Sequence, residues 1–459
     1  MKYINTLFLL SITFFGCKKG FLDAKPNSSI VNPTTLSEYQ SLLDNGDVLN
    51  RTGLLPQLSS DEYFIAGKSS FDALSYQTQK NTYLWQKDIY GGEINILDWN
   101  QIYKAVFISN SVLDGIEKID VIPANQLEWN NIRGEALFFR SYLFYDLARN
   151  FCSVYNETTS TTDLGIPLRL SAGIDVIVQR STLKETYDRI LADAKESLTL
   201  LKDDFSTINR NRPSKTAVYA LMARIYLSMG NYEEARKAAE ACLDKYNLLI
   251  DFNNVSTSNM TPFTYNSDEV IFSTLQAQNY TNTTGYGINT AIGIDPNLIQ
   301  LYDLNDLRLA VFYSKNMLNN YNIKRGYVGG GFYAFTGLAT DEVILIKAEC
   351  QARGNNPEVA MSTLSQLLIK RYKKGTFVKP TSITTQEVLA LILKERRKEL
   401  VWRALRWSDL KRLNKEGQNI ILKRVLDGVE YTLEANSPRY TFPIPDDEIA
   451  LSGIKQNQR

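Results

Sequence analysis

SKTAVYALMARIYLSMGNYEEARKAAEACLDKY, residues 214–246, decides how the chain folds. Tyr219, Ala223 and Tyr226 recur at helical spacing on one face. Gly230-Asn231 then marks a turn, and Tyr232, Ala235, Ala239 and Cys242 form a second face. Pro213 fits the first position of the leading helix, where its missing N–H is no loss. DEVILIKAECQARGNNPEVAMSTLSQLLIKRY, residues 341–372, repeats the design with Ala348, a turn at Gly354-Asn355-Asn356, and Ala360.

Such a pair resembles a tetratricopeptide repeat, in which small alanines let two antiparallel helices approach closely. The segments 133–150 and 183–201 supply material for a further repeat. DWNQIYKAVFISNSVLDGIEKI adds a helix with Asp98 as its N-cap candidate. The expected fold is mostly α, a tetratricopeptide-like scaffold with long irregular loops and a few short strands. Helices are expected around 97–150, 183–250 and 340–415. Single repeats cannot bury their own faces, so several must stack. Two segments, 44–95 and 251–338, are rich in Asn, Thr, Gly, Ser and Tyr and poor in helical pattern, with short alternating runs such as DEVIFSTLQ. Long irregular segments in a compact protein are usually functional, so the ligand site is expected there.

Composition removes whole classes of chemistry. The 459 residues contain no histidine, which excludes Ser-His-Asp and Cys-His mechanisms and HExxH zinc sites. Lys plus Arg is 51 against 50 for Asp plus Glu, so no basic field exists to hold nucleic acid. Cys152, Cys242 and Cys350 lie in apolar helical patterns and read as core residues, not a disulfide framework. VGGGF, residues 328–332, lacks the Lys-Ser or Lys-Thr of a phosphate loop. The acidic runs Asp203-Asp204 and Asp446-Asp447-Glu448 show no partner of opposite role, so no catalytic residue, metal site or cofactor is assigned. KERRKELVWRALRWSDLKRLN, residues 394–414, alternates its charges, with Glu395 expected to pair Lys398 and Glu399 to pair Arg403 within one helix.

The N-terminus carries an apolar run from Ile4 to Phe15, too short to span a bilayer and followed by Lys18-Lys19. It reads as a secretory signal, residues 1–16. Gly16-Cys17 at its end resembles a bacterial lipobox, with Phe14 standing where Leu is usual. Cys17 is therefore the expected lipidation site and residues 17–26 a tether; an ordinary signal peptide is the alternative. Residues 27–459 are expected to form one domain.

Taken together, FLDAKP, GEALFFRSYLFYDLARNF, LGIPLRL, ERRKELVWRALRWSDLKRLN and YTFPIPDDEIALSGIKQNQ resemble the SusD/RagB family of nutrient-binding outer membrane lipoproteins of Bacteroidetes. Glu395, Arg396, Arg397, Glu399, Leu400, Arg406, Trp407, Asp409 and Leu410 match its late-helix signature, and Pro443-Ile444-Pro445 its C-terminal motif. Arg403-Ala404-Leu405 departs from the Glu-Gly-His that many members carry. The resemblance implies an outer membrane location through a lipid anchor and a SusC-like TonB-dependent transporter as partner. It also implies an oligosaccharide or polysaccharide cargo, without enzyme activity. Peptide cargo and an outer membrane glycosidase are the alternatives.

Rings that stack on the C–H face of a sugar leave its hydroxyls to polar partners. Within the two irregular segments the candidates are Tyr83, Trp85 and Tyr90, then Tyr286, Tyr327 and Tyr333. Replacing Trp85 or Tyr327 with Ala is expected to weaken binding without unfolding the protein.

Overall fold

The computed structural model describes residues 33–459, apart from 204, 205, 207 and 382. The signal segment, Cys17 and the tether lie outside the described residues.

The quoted stretch folds as read. Lys215–Met229 and Tyr232–Lys245 are helices, with Gly230 at φ 78° between them. That left-handed conformation is one glycine adopts without a Cβ penalty. Ala217, Ala220, Ala223, Ala235, Ala238 and Ala239 are buried, so the small side chains set the interhelical distance. Pro213 falls two residues before the first helical position, because Ser214 takes the N-cap and accepts from Ala217 N. The second unit forms Thr340–Arg353 and Pro357–Leu368.

Around these, Leu97–Ile116, Gln126–Phe151 and Leu183–Leu200 pack in succession, each against the next. From Gly134 to Phe151 every residue of the long helix is buried, as expected of an element covered on all sides. Asp98 is not the predicted cap. It lies inside its own helix and accepts from Leu54 N and Leu55 N at 2.6 and 2.8 Å, capping the short Leu55–Ser59 helix instead. Among the described residues no helix is long and apolar enough to cross a membrane.

The two irregular segments are stitched together by short strands. Thr52 pairs in parallel with Gln276, and Tyr63–Ile65 pairs antiparallel with Ile292–Ile294. The run DEVIFSTLQ supplies Val270–Phe272 and Leu275–Gln276. A second apolar cluster, drawn mainly from these segments, includes Tyr63, Tyr83, Phe263, Tyr286, Tyr327 and Trp402.

The charge-dense stretch differs most from expectation. It forms two helices, Thr385–Glu399 and Arg406–Lys415, separated by a turn in which Trp402 and Ala404 have φ of 62° and 54°. Glu395 does pair Lys398 at 2.9 Å. Glu399 does not reach Arg403; it binds Arg371 at 2.7 Å and Arg308 at 2.9 Å, while Arg403 holds Asp341 at 2.6 Å. The break in the helix turns Arg403 away from its i−4 neighbour. These charges are buried, not solvated.

Candidate functional site

The short helix Thr281–Thr284 is the common support of an aromatic surface. At its start Tyr280 is buried and meets Tyr76 edge-on, with ring centroids 5.2 Å apart. Tyr76 remains 41% exposed. It directly precedes the Gln77–Tyr83 helix, whose first turn is fixed by Glu93. That carboxylate accepts from Gln77 N, Thr78 N and Thr78 Oγ1 at 2.7, 3.1 and 2.6 Å, as favoured at a helix N-terminus. Gln79 Nε2 donates to Thr283 Oγ1 at 2.8 Å and joins the two loops.

At the other end of the support stands Gly285. A Cβ there would lie 2.3 Å from Phe332 Cε1, so only glycine lets that ring settle on the backbone. Tyr286 N donates to Phe332 O at 2.9 Å, which fixes the loop carrying the ring. Phe332 is 42% exposed, and Tyr333 beside it is half-buried, at 5.9 Å and nearly perpendicular. The Arg51 guanidinium lies 6.0 Å from the Tyr333 ring centroid. Asn282 is exposed on the support itself, and its C=O accepts from Asn289 Nδ2. The arrangement offers ring faces and amide groups to solvent on a backbone held by hydrogen bonds.

Of the six rings picked from sequence, Tyr333 reaches this surface. The other five are corrected by their burial. Tyr83 Oη accepts from Ile65 N at 3.0 Å, and Trp85 Nε1 donates to Ser59 O at 2.9 Å. Both rings sandwich the Arg424 guanidinium, at 3.9 and 4.5 Å. Tyr90 Oη donates to Pro443 O at 2.5 Å. Tyr286 accepts from Phe335 N at 3.3 Å, and burial pushes its phenol up to about 12. Tyr327 Oη donates to Glu269 Oε2 at 2.7 Å and packs on Phe263 and Phe335. Each has its polar tip satisfied inside, so none presents a face to a ligand. Tyr76 and Phe332 were missed. Their signal is local: Ser75 and Gln77 flank one, and Gly331 precedes the other, so neither sits in an apolar run.

Beneath the surface lies a cavity of about 30 Å³, room for one water, lined by Tyr286, Tyr327, Phe335, Glu399 and Arg403 among others. Next to it Glu269, Asp341 and Glu399 bring carboxylate oxygens within 4.8 Å of one another. Arginines already occupy them: Arg371 bridges Glu269 and Glu399, and Arg403 takes Asp341. Burial pushes Glu269 up to about 7. Asp341 is held below the usual range despite its burial, because Arg403 faces it. A network so neutralised ties elements together and leaves little charge for an added cation.

Comparison with known proteins follows the same outline. Residues 20–227 match a family model described as starch-binding associating with outer membrane, and residues 223–458 match the model described as SusD family. SusD-like protein P2 of Formosa agariphila is 24% identical over 409 residues, covering 76% of this chain and 77% of the relative. A SusD superfamily protein from Bacteroides thetaiotaomicron superposes with a TM-score of 0.72 at 20% identity, covering 93% of this chain and 100% of the other. A protein described as a putative sugar binding protein from Bacteroides vulgatus gives 0.72 at 19% identity, over 93% and 99% of the two chains. These likenesses establish the fold.

Proposed function

Because the chain belongs to the SusD family, we propose that it binds an oligosaccharide or polysaccharide nutrient and delivers it to a SusC-like TonB-dependent transporter. The observation carrying this reading is the pair of exposed rings, Tyr76 against Tyr280 before the Thr281–Thr284 turn and Phe332 against Gly285 after it, with Tyr333 alongside. Rings held this way stack on sugar without an ordering cost at binding, and Asn282 and neighbouring main-chain groups meet the hydroxyls. The family description matched over residues 20–227, starch-binding associating with outer membrane, supports the same ligand class. Tyr83, Trp85, Tyr90, Tyr286 and Tyr327 serve as the support under the surface.

In this reading Cys17 is acylated and residues 17–26 tether the protein to the outer membrane, facing the exterior. The protein captures cargo and does not cut it. Its sequence has no histidine, and the carboxylates beneath the rings are committed to arginines.

The test is calorimetric titration against plant, host and microbial glycans, with peptide mixtures alongside. Saturable heat with one glycan class, reduced about tenfold in affinity by Tyr76→Ala or Phe332→Ala, is expected if each ring contributes on the order of 1.4 kcal/mol. Heat with peptides alone would move the cargo to another class. Hydrolysis of a glycan, lost on replacing one carboxylate, would overturn the non-enzymatic role.

A further inference from the structure

Gly329, Gly330 and Gly331 lie between two exposed rings, Tyr265 at 38% and Phe332 at 42%. Gly329 has φ 55°, and a Cβ on it would lie 3.1 Å from Tyr265 N, so the loop turns directly against the main chain of Tyr265. A Cβ on Gly330 would meet nothing within 4 Å. The three residues therefore form a floor of bare backbone, open above Gly330, with a ring at each end.

Tyr265 is also tied to the aromatic surface by a second path. Its Oη donates to Asn211 Oδ1 at 2.5 Å, and Asn211 O accepts from Asn50 Nδ2 at 3.0 Å. Asn50 directly precedes Arg51, the residue whose guanidinium faces the Tyr333 ring. Tyr265, the glycine floor and Tyr333 thus belong to one continuous patch.

The charge at this floor is positive. Arg325 Nη1 donates to Gly330 O at 2.8 Å, which sets the guanidinium beside the floor. Arg325 is half-buried and pairs with no carboxylate among the described residues, so its other N–H donors stay open. Arg51 Nη2 binds Asp47 at 2.7 Å, but that carboxylate is 85% exposed and solvent screens it. Two guanidinium groups stand against one exposed carboxylate.

We propose that Tyr265, the Gly329–Gly331 floor and Arg325 form a second subsite, which takes an acidic unit of the polysaccharide held on Tyr76 and Phe332. The acid is a uronate or a sulfate ester. This rests on the glycan-binding function and narrows it to anionic chains. The sugar lies on the bare backbone, where a side chain would block it, and meets the Tyr265 ring. Its acid group takes the open donors of Arg325. A planar guanidinium suits either acid, because both present a pair of oxygens to its fork of N–H groups.

The test is calorimetric titration of the protein with two matched pairs: polygalacturonate against its methyl ester, and κ-carrageenan against its desulfated form. The first pair reads a carboxylate and the second a sulfate. In at least one pair the acidic member is expected to bind, with its neutral counterpart about tenfold weaker. Raised salt should weaken the acidic ligand alone. Arg325→Gln should weaken the acidic ligand about tenfold and leave the neutral one unchanged. Gly330→Val, which the open space accommodates, should block the floor and weaken binding by a similar factor with an unchanged melting temperature. Equal binding of both members of each pair, or acidic binding untouched by either variant, overturns the subsite and leaves the proposed function standing. Silence toward both acidic probes also overturns it, whatever neutral glycans bind. Silence toward every glycan overturns the proposed function with it.

Discussion

The helix pair at 215–245 and the seam beneath the loops are held together by different physics, although other helices of the layer are also joined by buried ion pairs, Arg140 to Asp193, Arg224 to Glu342 and Arg412 to Glu349. In Lys215–Met229 and Tyr232–Lys245 the contact is alanine against alanine, apolar and without charge. On the loop-rich side the contact is a buried ion network running Asp306–Arg308–Glu399–Arg371–Glu269, with Arg403–Asp341 alongside. Apolar packing is non-directional and tolerates many arrangements. A bidentate guanidinium fixes position and angle. The loops that carry Tyr76 and Phe332 have little regular structure of their own, and directional contacts hold the scaffold beneath them in one place.

That contrast can be broken first at Arg371. Replacing it with Met strands Glu269 in the interior and leaves Glu399 to Arg308 alone, and urea unfolding should show a loss of about 3–5 kcal/mol. A loss near zero would mean the network adds nothing beyond packing. Ala223→Leu tests the other side: overpacking the alanine contact should cost about 1–3 kcal/mol in the same assay.

The next test is pH. Burial pushes Glu62, Asp98 and Glu135 each up to about 7. A carboxyl whose folded pKa is raised binds its proton more tightly when folded, so its contribution to stability is present at low pH and falls as pH rises from the ordinary carboxylate range toward 7. Asp341, Glu349 and Asp409 are held low by arginines, and their contribution is lost as pH falls below that range. The melting temperature should therefore peak on the acid side of neutrality and decline toward pH 8. Glu135→Gln, which keeps its contacts with Gln40 and Asn131 in reach, should flatten that decline. A melting temperature that climbs from pH 5 to 8 would contradict the assignment.

The smallest effect is a gain. Ala404 sits at φ 54°, where its Cβ is strained, and it stands where many family members carry Gly. Ala404→Gly should raise stability by about 1 kcal/mol, read as a higher urea midpoint with unchanged slope.

What was legible follows the same division. Helical periodicity and small-residue spacing disclosed both helix pairs, because those signals are local. The strand fragments around Val270 and Leu275 were visible as alternation. The ion network was not, because its partners lie far apart in sequence: Arg371 reaches Glu269, and Arg403 reaches Asp341. Spacing rules offered Glu399 the neighbour at i+4, and the turn at Trp402–Ala404 removed it. The aromatic rings failed for a related reason. Composition shows that a segment is rich in Tyr, but whether Tyr83 or Tyr76 faces solvent depends on Arg424, more than 300 residues later, filling the space between Tyr83 and Trp85.

The most direct measurement pairs two variants in one titration with the glycan that binds the wild type. Tyr76→Ala combined with Phe332→Ala should abolish measurable heat and leave the melting temperature within a degree or two of wild type, as expected for exposed side chains. Trp85→Phe should bind as the wild type does and melt lower, having lost its bond to Ser59. The reverse pattern, binding kept by the double variant and lost by Trp85→Phe without a change in melting, would contradict the account.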